Sequence, residues 1–218
     1  MHGIGSTSAE FVFGNPKGNL AFILADLGYD VWLGNARGTV WSRNHTTLDP
    51  GADAKRFFDF SWHEIGYYDL AAAIDYILAT TKTKKLHYIG HSQGGTAFLV
   101  LASTRPSYNK KIRLASLLSP AVVTSETKIP FLKNAVPLLE DVETLLQFLR
   151  IYELPFTFEI RKFLSSYCKQ PGSYSLCSTL MYIAGQNGPL EKVILFLYSR
   201  GCIYLEQFFL GSASHYFF

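Results

Sequence analysis

LHYIGHSQGG, residues Leu86 to Gly95, decides the fold. An apolar run (Leu86, Tyr88, Ile89) leads into Gly90-His91-Ser92-Gln93-Gly94, and AFLVLA at Ala97 to Ala102 follows in a helical pattern. The order is strand, tight turn, helix. Gly90 and Gly94 carry no side chain, so a strained turn can hold Ser92 clear of the backbone while the N–H groups opening the next helix face the same point. Ser92 is therefore the candidate nucleophile. A bare G-x-S-x-G also arises by chance as an ordinary Gly/Ser loop, and it is the strand before and helix after that select the nucleophile reading.

Working outward, LASLL at Leu114 to Leu118 reads as the next strand, ended by Ser119-Pro120. On the other side, Ile65, Leu70, Ala73, Ile74, Ile77 and Leu78 recur at helical spacing, with Asp69 and Asp75 among the polar positions. A loop from Thr39 to Trp62, holding Pro50 and Gly51, separates this helix from YDVWL at Tyr29 to Leu33, which reads as a buried strand closed by Gly34-Asn35. Leu20, Phe22, Ile23, Leu24 and Leu27 mark an earlier helix stopped by Gly28, preceded by a Gly-rich loop at Met1 to Ser6 and a turn at Asn15 to Gly18. Alternating helix and strand predicts an α/β fold with a parallel sheet. After Val123 the pattern changes to apolar, helix-like segments broken by Pro130, Pro137, Pro155, Pro171 and Pro189. The expected organisation is a core over residues 1–123 and a helical cap over 124–218.

With 218 residues, 48% of them hydrophobic and 17% charged, the chain has the composition of a globular protein. The net charge is +3 and the longest basic block is Lys82 to Lys85, so there is no electrostatic footprint for nucleic acid. No run approaches the length of a membrane span, and MHGIGSTSAEF at the start lacks the basic-then-apolar pattern of a secretion signal. Neither a metal nor a cofactor is expected. Cys168 and Cys177 lie close enough in sequence to be bridged if the backbone turns back, leaving Cys202 over; three buried thiols fit the same residues equally well. Asn44-His45-Thr46 is a glycosylation sequon, with Asn44 the acceptor.

Five stretches in order resemble the acid lipases, the group that includes the gastric and lysosomal acid lipases and their insect relatives. They are His2-Gly3, NLAFILADLGYDVWLGNARGTVWSRNH at Asn19 to His45, FFDFSWHEIGYYDL at Phe57 to Leu70, LHYIGHSQGG itself and LLSPAV at Leu117 to Val122. The resemblance implies an α/β-hydrolase fold, hydrolysis of lipid esters such as triacylglycerols or sterol esters at a lipid–water interface, and a helical cap over the site. By position it implies Ser92 as nucleophile, the backbone N–H groups of Gln93 and Ile4 as the oxyanion hole, a cap disulfide between Cys168 and Cys177, and a secreted or lysosomal location. Two backbone donors fixed where negative charge develops would stabilise the tetrahedral transition state by about 3 kcal/mol each.

A serine hydrolase also needs a base and a carboxylate to orient it. The resemblance puts both beyond Phe218, so the chain reads as a fragment or short isoform lacking the triad acid and histidine, and lacking strands before the His2-Gly3 loop. Its sheet is expected to keep three strands with exposed edges. His91 is expected to point away from the nucleophile and His87 to lie on the strand, with His45 and His63 in or near the long loop. Only His215 follows Ser92. Glu126, Asp141 and Glu153 read as solvated helix charges. Two functions remain: a serine ester hydrolase, or a non-catalytic lipid-binding remnant whose apolar cap, with Leu145, Leu146, Phe148 and Leu149, offers a groove without chemistry.

Overall fold

The βαβ unit around Ser92 forms first in the logic of the sequence. β1 (Leu86–His91) and β2 (Ile112–Leu118) pair in parallel, with Leu86 opposite Ile112 and His91 opposite Leu118. Parallel neighbours need a crossover, supplied here by a helix, α5 (Gln93–Thr104), and a 3-10 turn at Pro106–Lys111. The structure, a computed structural model, describes residues 1–12, 16–122 and 144–153.

The remaining helices are α1 (Leu20–Asp26), α2 (Ala54–Phe57), α3 (Trp62–Glu64) and α4 (Ala71–Thr81). Ser61 and Glu64 open α3 with a capping box: the Glu64 carboxylate accepts the Ser61 N–H at 2.7 Å, and the Ser61 hydroxyl accepts the His63 N–H at 3.1 Å. Between α3 and α4 the chain makes a π turn, Ile65–Leu70, which brings Gly66 onto α5. A side chain there would press on the Ala97 carbonyl oxygen and come within 2.9 Å of Val100 Cβ, so glycine sets how closely the two helices approach. Arg37 braces the turn from outside. Its guanidinium contacts both oxygens of Asp69, the shortest at 2.6 Å, and its backbone N–H donates to the same carboxylate at 3.0 Å.

Two apolar clusters hold these elements together. Leu70, Ala71, Ile74, Tyr88, Leu101 and Tyr108 join α4, the sheet and α5. Phe57, Phe58, Phe60, Ile65, Ala36 and Ala97 form the second beside it. Leu101 is fully buried. Leu101→Ala is expected to cost about 3 kcal/mol of stability, as lost transfer energy plus the cavity left behind. Chemical denaturation followed by circular dichroism measures it.

Two expectations need correction. Tyr29–Leu33 is not a buried strand: the sheet described is two-stranded, and Tyr29, Trp32 and Leu33 are exposed. A slot of about 570 Å³ lies between this stretch and β1, lined by Val31, Leu33, His87 and Ile89 among others. Among the described residues no strand pairing joins Tyr29–Leu33 to β1, and the Tyr29 and His87 rings meet edge-on, 6.2 Å apart. The described sheet thus has two strands rather than three. Nor is the Thr39–Trp62 stretch unstructured, since it holds α2 and supplies the buried Phe57, Phe58 and Phe60.

Residues 144–148 are helical, and Tyr152 packs on the Phe57–Phe60 cluster. Glu153, expected to be a solvated charge, instead meets Arg43 at 2.6 Å. The rest of the expected cap, with Glu126, Asp141, Cys168, Cys177, Cys202 and His215, lies outside the described residues.

Candidate active site

Ser92 sits between β1 and α5 with φ 48° and ψ −114°, a conformation that costs a residue bearing a side chain about 1–3 kcal/mol. Its neighbours over-determine it. The Ser92 N–H donates to Leu118 O at 2.8 Å, which ties the turn to the end of β2, and Ser92 O accepts from Gly95 N–H at 2.9 Å and Thr96 N–H at 3.2 Å. The Tyr88 hydroxyl, buried and so pushed above its usual pKa, donates to Gly94 O at 2.7 Å. Among the described residues the Ser92 hydroxyl has no hydrogen-bond partner. It is half-buried at the positive end of the α5 dipole.

The N-terminal loop lies directly on this turn. Met1 runs beside β1 as a strand would, its amino group donating to Ile89 O at 2.7 Å and its carbonyl accepting from His91 N–H at 3.0 Å. Gly3 follows at contact distance. A Cβ there would stand 3.2 Å from His91 Nδ1 and 3.3 Å from Ser92 Cβ, so a larger residue would make the loop or these side chains give by a few tenths of an ångström.

His2 orients the next peptide. Its buried ring accepts the Ala36 N–H on Nε2 at 3.1 Å, so the proton of the neutral ring is on Nδ1 and is donated to Gly3 O at 2.8 Å. Ser6 N–H also reaches Gly3 O, at 3.3 Å. Because the peptide is planar and trans, fixing Gly3 O turns the Ile4 N–H the opposite way. Ile4 is half-buried, and its N–H has no acceptor among the described residues. Gln93, the first residue of α5, is buried beside Ser92.

Burial holds the His2 pKa below its ordinary 6.5, against the opposing pull of the Gly3 bond and Glu10. A histidine whose folded pKa is depressed stabilises the fold fully above its unfolded value, and that contribution falls as the pH drops below 6.5. His2→Ala leaves Gly3 O and the Ala36 N–H short of a partner. The expected loss is about 2 kcal/mol at pH 8 and less at pH 5, measured by urea unfolding at both.

Glu10 completes the cluster. Its Oε1 accepts the Gly3 N–H at 3.2 Å and lies 3.1 Å from His91 Nδ1. Burial pushes the Glu10 carboxyl up, but His91, Ser6 and His2 outweigh it and leave it below the usual range. The His91 ring is raised chiefly by its bond to Glu10, with burial opposing. Farther out, Asn35 accepts the Ser8 N–H at 2.9 Å and donates to the Ser8 hydroxyl at 3.0 Å, fixing the loop on its other flank.

The other described histidines serve elsewhere. His45 accepts the Thr47 and Leu48 N–H groups, His63 stacks on Tyr67 and His87 meets Tyr29 edge-on. None of them, nor His2 or His91, hydrogen-bonds the Ser92 hydroxyl. Asn44 is exposed. Among the described residues no group of three or more His, Cys, Asp or Glu is placed to hold a metal ion.

Residues 1–159 match the alpha/beta hydrolase fold family, a span that covers the loop, the turn at Ser92 and both strands. The chain belongs to that family. Within this alpha/beta hydrolase, the parallel sheet and flanking helices expected from the sequence are present, and the relatives agree with the resemblance read from the motifs. Lipase 1 of Drosophila melanogaster is 58% identical over 128 residues, 59% of this chain and 29% of that protein. Gastric triacylglycerol lipase of Mus musculus is 44% identical over 133 residues, 61% of this chain and 33% of that protein. The enzyme of the same name in Rattus norvegicus is 36% identical over 183 residues, 84% of this chain and 45% of that protein. The matched parts thus span about a third to under half of these curated relatives.

Proposed function

We propose that this chain carries the nucleophile half of a lipase site, with Ser92 attacking the acyl carbonyl of a lipid ester and the Ile4 and Gln93 N–H groups holding the oxyanion. The observation that carries the reading is the Ser92 turn itself: a strained serine whose hydroxyl has no partner among the described residues, packed against a loop whose Ile4 N–H has none there either. Strain of this kind is stored where a turn must present its side chain, and backbone donors held at fixed positions need little reorganisation when charge develops. Relatives named as triacylglycerol lipases support a lipid ester as substrate. No helix among the described residues is long and apolar enough to cross a membrane, and meeting lipid at a water interface needs none.

The attack also needs a base. No described histidine bonds Ser92, so the acid and histidine of this reading lie outside the described residues. The same observation favours a second reading, in which the chain binds lipid without turning it over. Hydrolysis of p-nitrophenyl butyrate by the purified chain separates the two. The first reading expects slow turnover that Ser92→Ala removes; turnover that is absent, or indifferent to Ser92→Ala, favours the second.

A secreted or lysosomal location and a Cys168–Cys177 disulfide belong to the same proposal. Closing so short a loop is worth about 2–3 kcal/mol through the unfolded chain. Titration of thiols under denaturing, non-reducing conditions is expected to find Cys202 alone; three free thiols would remove the bridge and weaken the case for an oxidising compartment.

A further inference from the structure

We propose that Glu10 is a positioning residue for the chemistry at Ser92, holding the oxyanion loop and the nucleophile turn in one register through a single carboxylate. The inference rests on the assignment of Ser92 and Ile4 made above. Glu10 Oε1 accepts the Gly3 N–H at 3.2 Å and stands 3.1 Å from His91 Nδ1. Gly3 directly precedes Ile4, and His91 directly precedes Ser92. Every movement of the loop relative to the turn therefore changes one of two bonds to the same oxygen.

The two sides of Gly3 are held by different groups. His2 fixes its carbonyl, which aims the Ile4 N–H, while Glu10 fixes its N–H and through His91 sets how far that donor lies from Ser92. His2 bonds only within the loop and to Ala36, so it aims the donor without tying it to the turn. Glu10 adds a side-chain tie next to Ile4 and Ser92, beyond the backbone bond from the His91 N–H to Met1 O. An oxyanion donor acts over a few tenths of an ångström, so loosening that tie slows acyl or phosphonyl transfer without unfolding the protein. The charged and titratable groups around the pair are few: Glu10 feels His91 and His2, and His91 feels Glu10 and the Met1 amino group.

The pair also sets a pH window. A depressed carboxylate contributes above its ordinary 4.5 and is lost as the pH falls through its folded value, whereas a raised histidine contributes below its ordinary 6.5 and is lost as the pH rises through its folded value. Both are charged and paired between those limits.

A double-mutant cycle on the full 218-residue chain tests the proposal, with Glu10→Gln, His91→Gln and the double variant compared by their rates of fluorophosphonate labelling at Ser92. Each single change is expected to slow labelling about tenfold, and the double change no more than either alone. In the NMR titration of wild type His91 is expected above 6.5, and Glu10→Gln should bring it down. Unchanged labelling in Glu10→Gln, or two effects that multiply to about a hundredfold, would overturn the coupling. Should Glu10→Gln fail to fold, His91→Gln alone still decides, since an unchanged rate there removes the tie. Labelling that persists in Ser92→Ala would defeat the Ser92 assignment; labelling lost there but untouched by Glu10→Gln would defeat only the role of Glu10.

Discussion

Gly94→Ala is expected to destabilise the protein by about 3 kcal/mol or more and to disrupt the site with it. The added Cβ would meet the Met1 carbonyl oxygen first, then Met1 C at 2.8 Å and His2 O at 3.0 Å. All three are backbone atoms of the loop that carries Gly3 and Ile4, and none can swing aside as the tip of a long side chain does. Met1 is itself pinned to β1 by two hydrogen bonds, so relief must come from lifting the loop off the Ser92 turn. A urea titration reads the loss of stability. Gly18→Ala is the control: a Cβ there meets nothing within 4 Å, and the expected change stays within about 0.5 kcal/mol.

The second large effect concerns the base, which no described residue supplies to Ser92. With the nucleophile and oxyanion donors alone, a serine hydrolase keeps about 10³- to 10⁴-fold acceleration over water, and losing the base forfeits most of the rest. Ester turnover by the 218-residue chain is therefore expected to be feeble, and a chain extended to carry a later acid and histidine is expected to exceed it by at least about 10³-fold in kcat. Steady-state kinetics on the two chains under the same conditions make the comparison. Equal rates would mean that a base already works within residues 1–218, and His215 would be the first residue to replace.

What was legible in the sequence follows from where the signal is local. Strand, G-x-S-x-G and helix are consecutive, so LHYIGHSQGG revealed the turn, and the parallel partner at Ile112–Leu118 followed from the crossover that must join them. Tyr29–Leu33 misled because an apolar run records the wish to be buried, whereas a strand also needs a neighbour to bond, and a slot separates this one from β1. The contacts of Glu10 with His91, His2 with Ala36 and Arg37 with Asp69 were invisible because each joins residues 32 or more positions apart, through one side chain without periodicity. One local signal was available and unread: Ser61-Trp62-His63-Glu64 has the spacing of a capping box, and would have placed the start of α3. Glu153 read as a solvated charge because nothing in its own helix-like context announces Arg43, which lies 110 positions away.

A turn that presents the Ser92 hydroxyl to substrate makes Ser92 the residue that an active-site label must find. After prolonged exposure to a fluorophosphonate, tryptic digestion, which spares the Arg105–Pro106 bond, releases Leu86 to Lys110 as one peptide holding Ser92, Ser103 and Ser107. The Ser103 hydroxyl bonds Leu99 O and Val100 O within α5, so it supplies an internal comparison. Fragmentation is expected to find the phosphonyl group on Ser92 and not on Ser103, with no modification in Ser92→Ala. Modification at Ser103 or on another peptide, or labelling that survives Ser92→Ala, would contradict the claim.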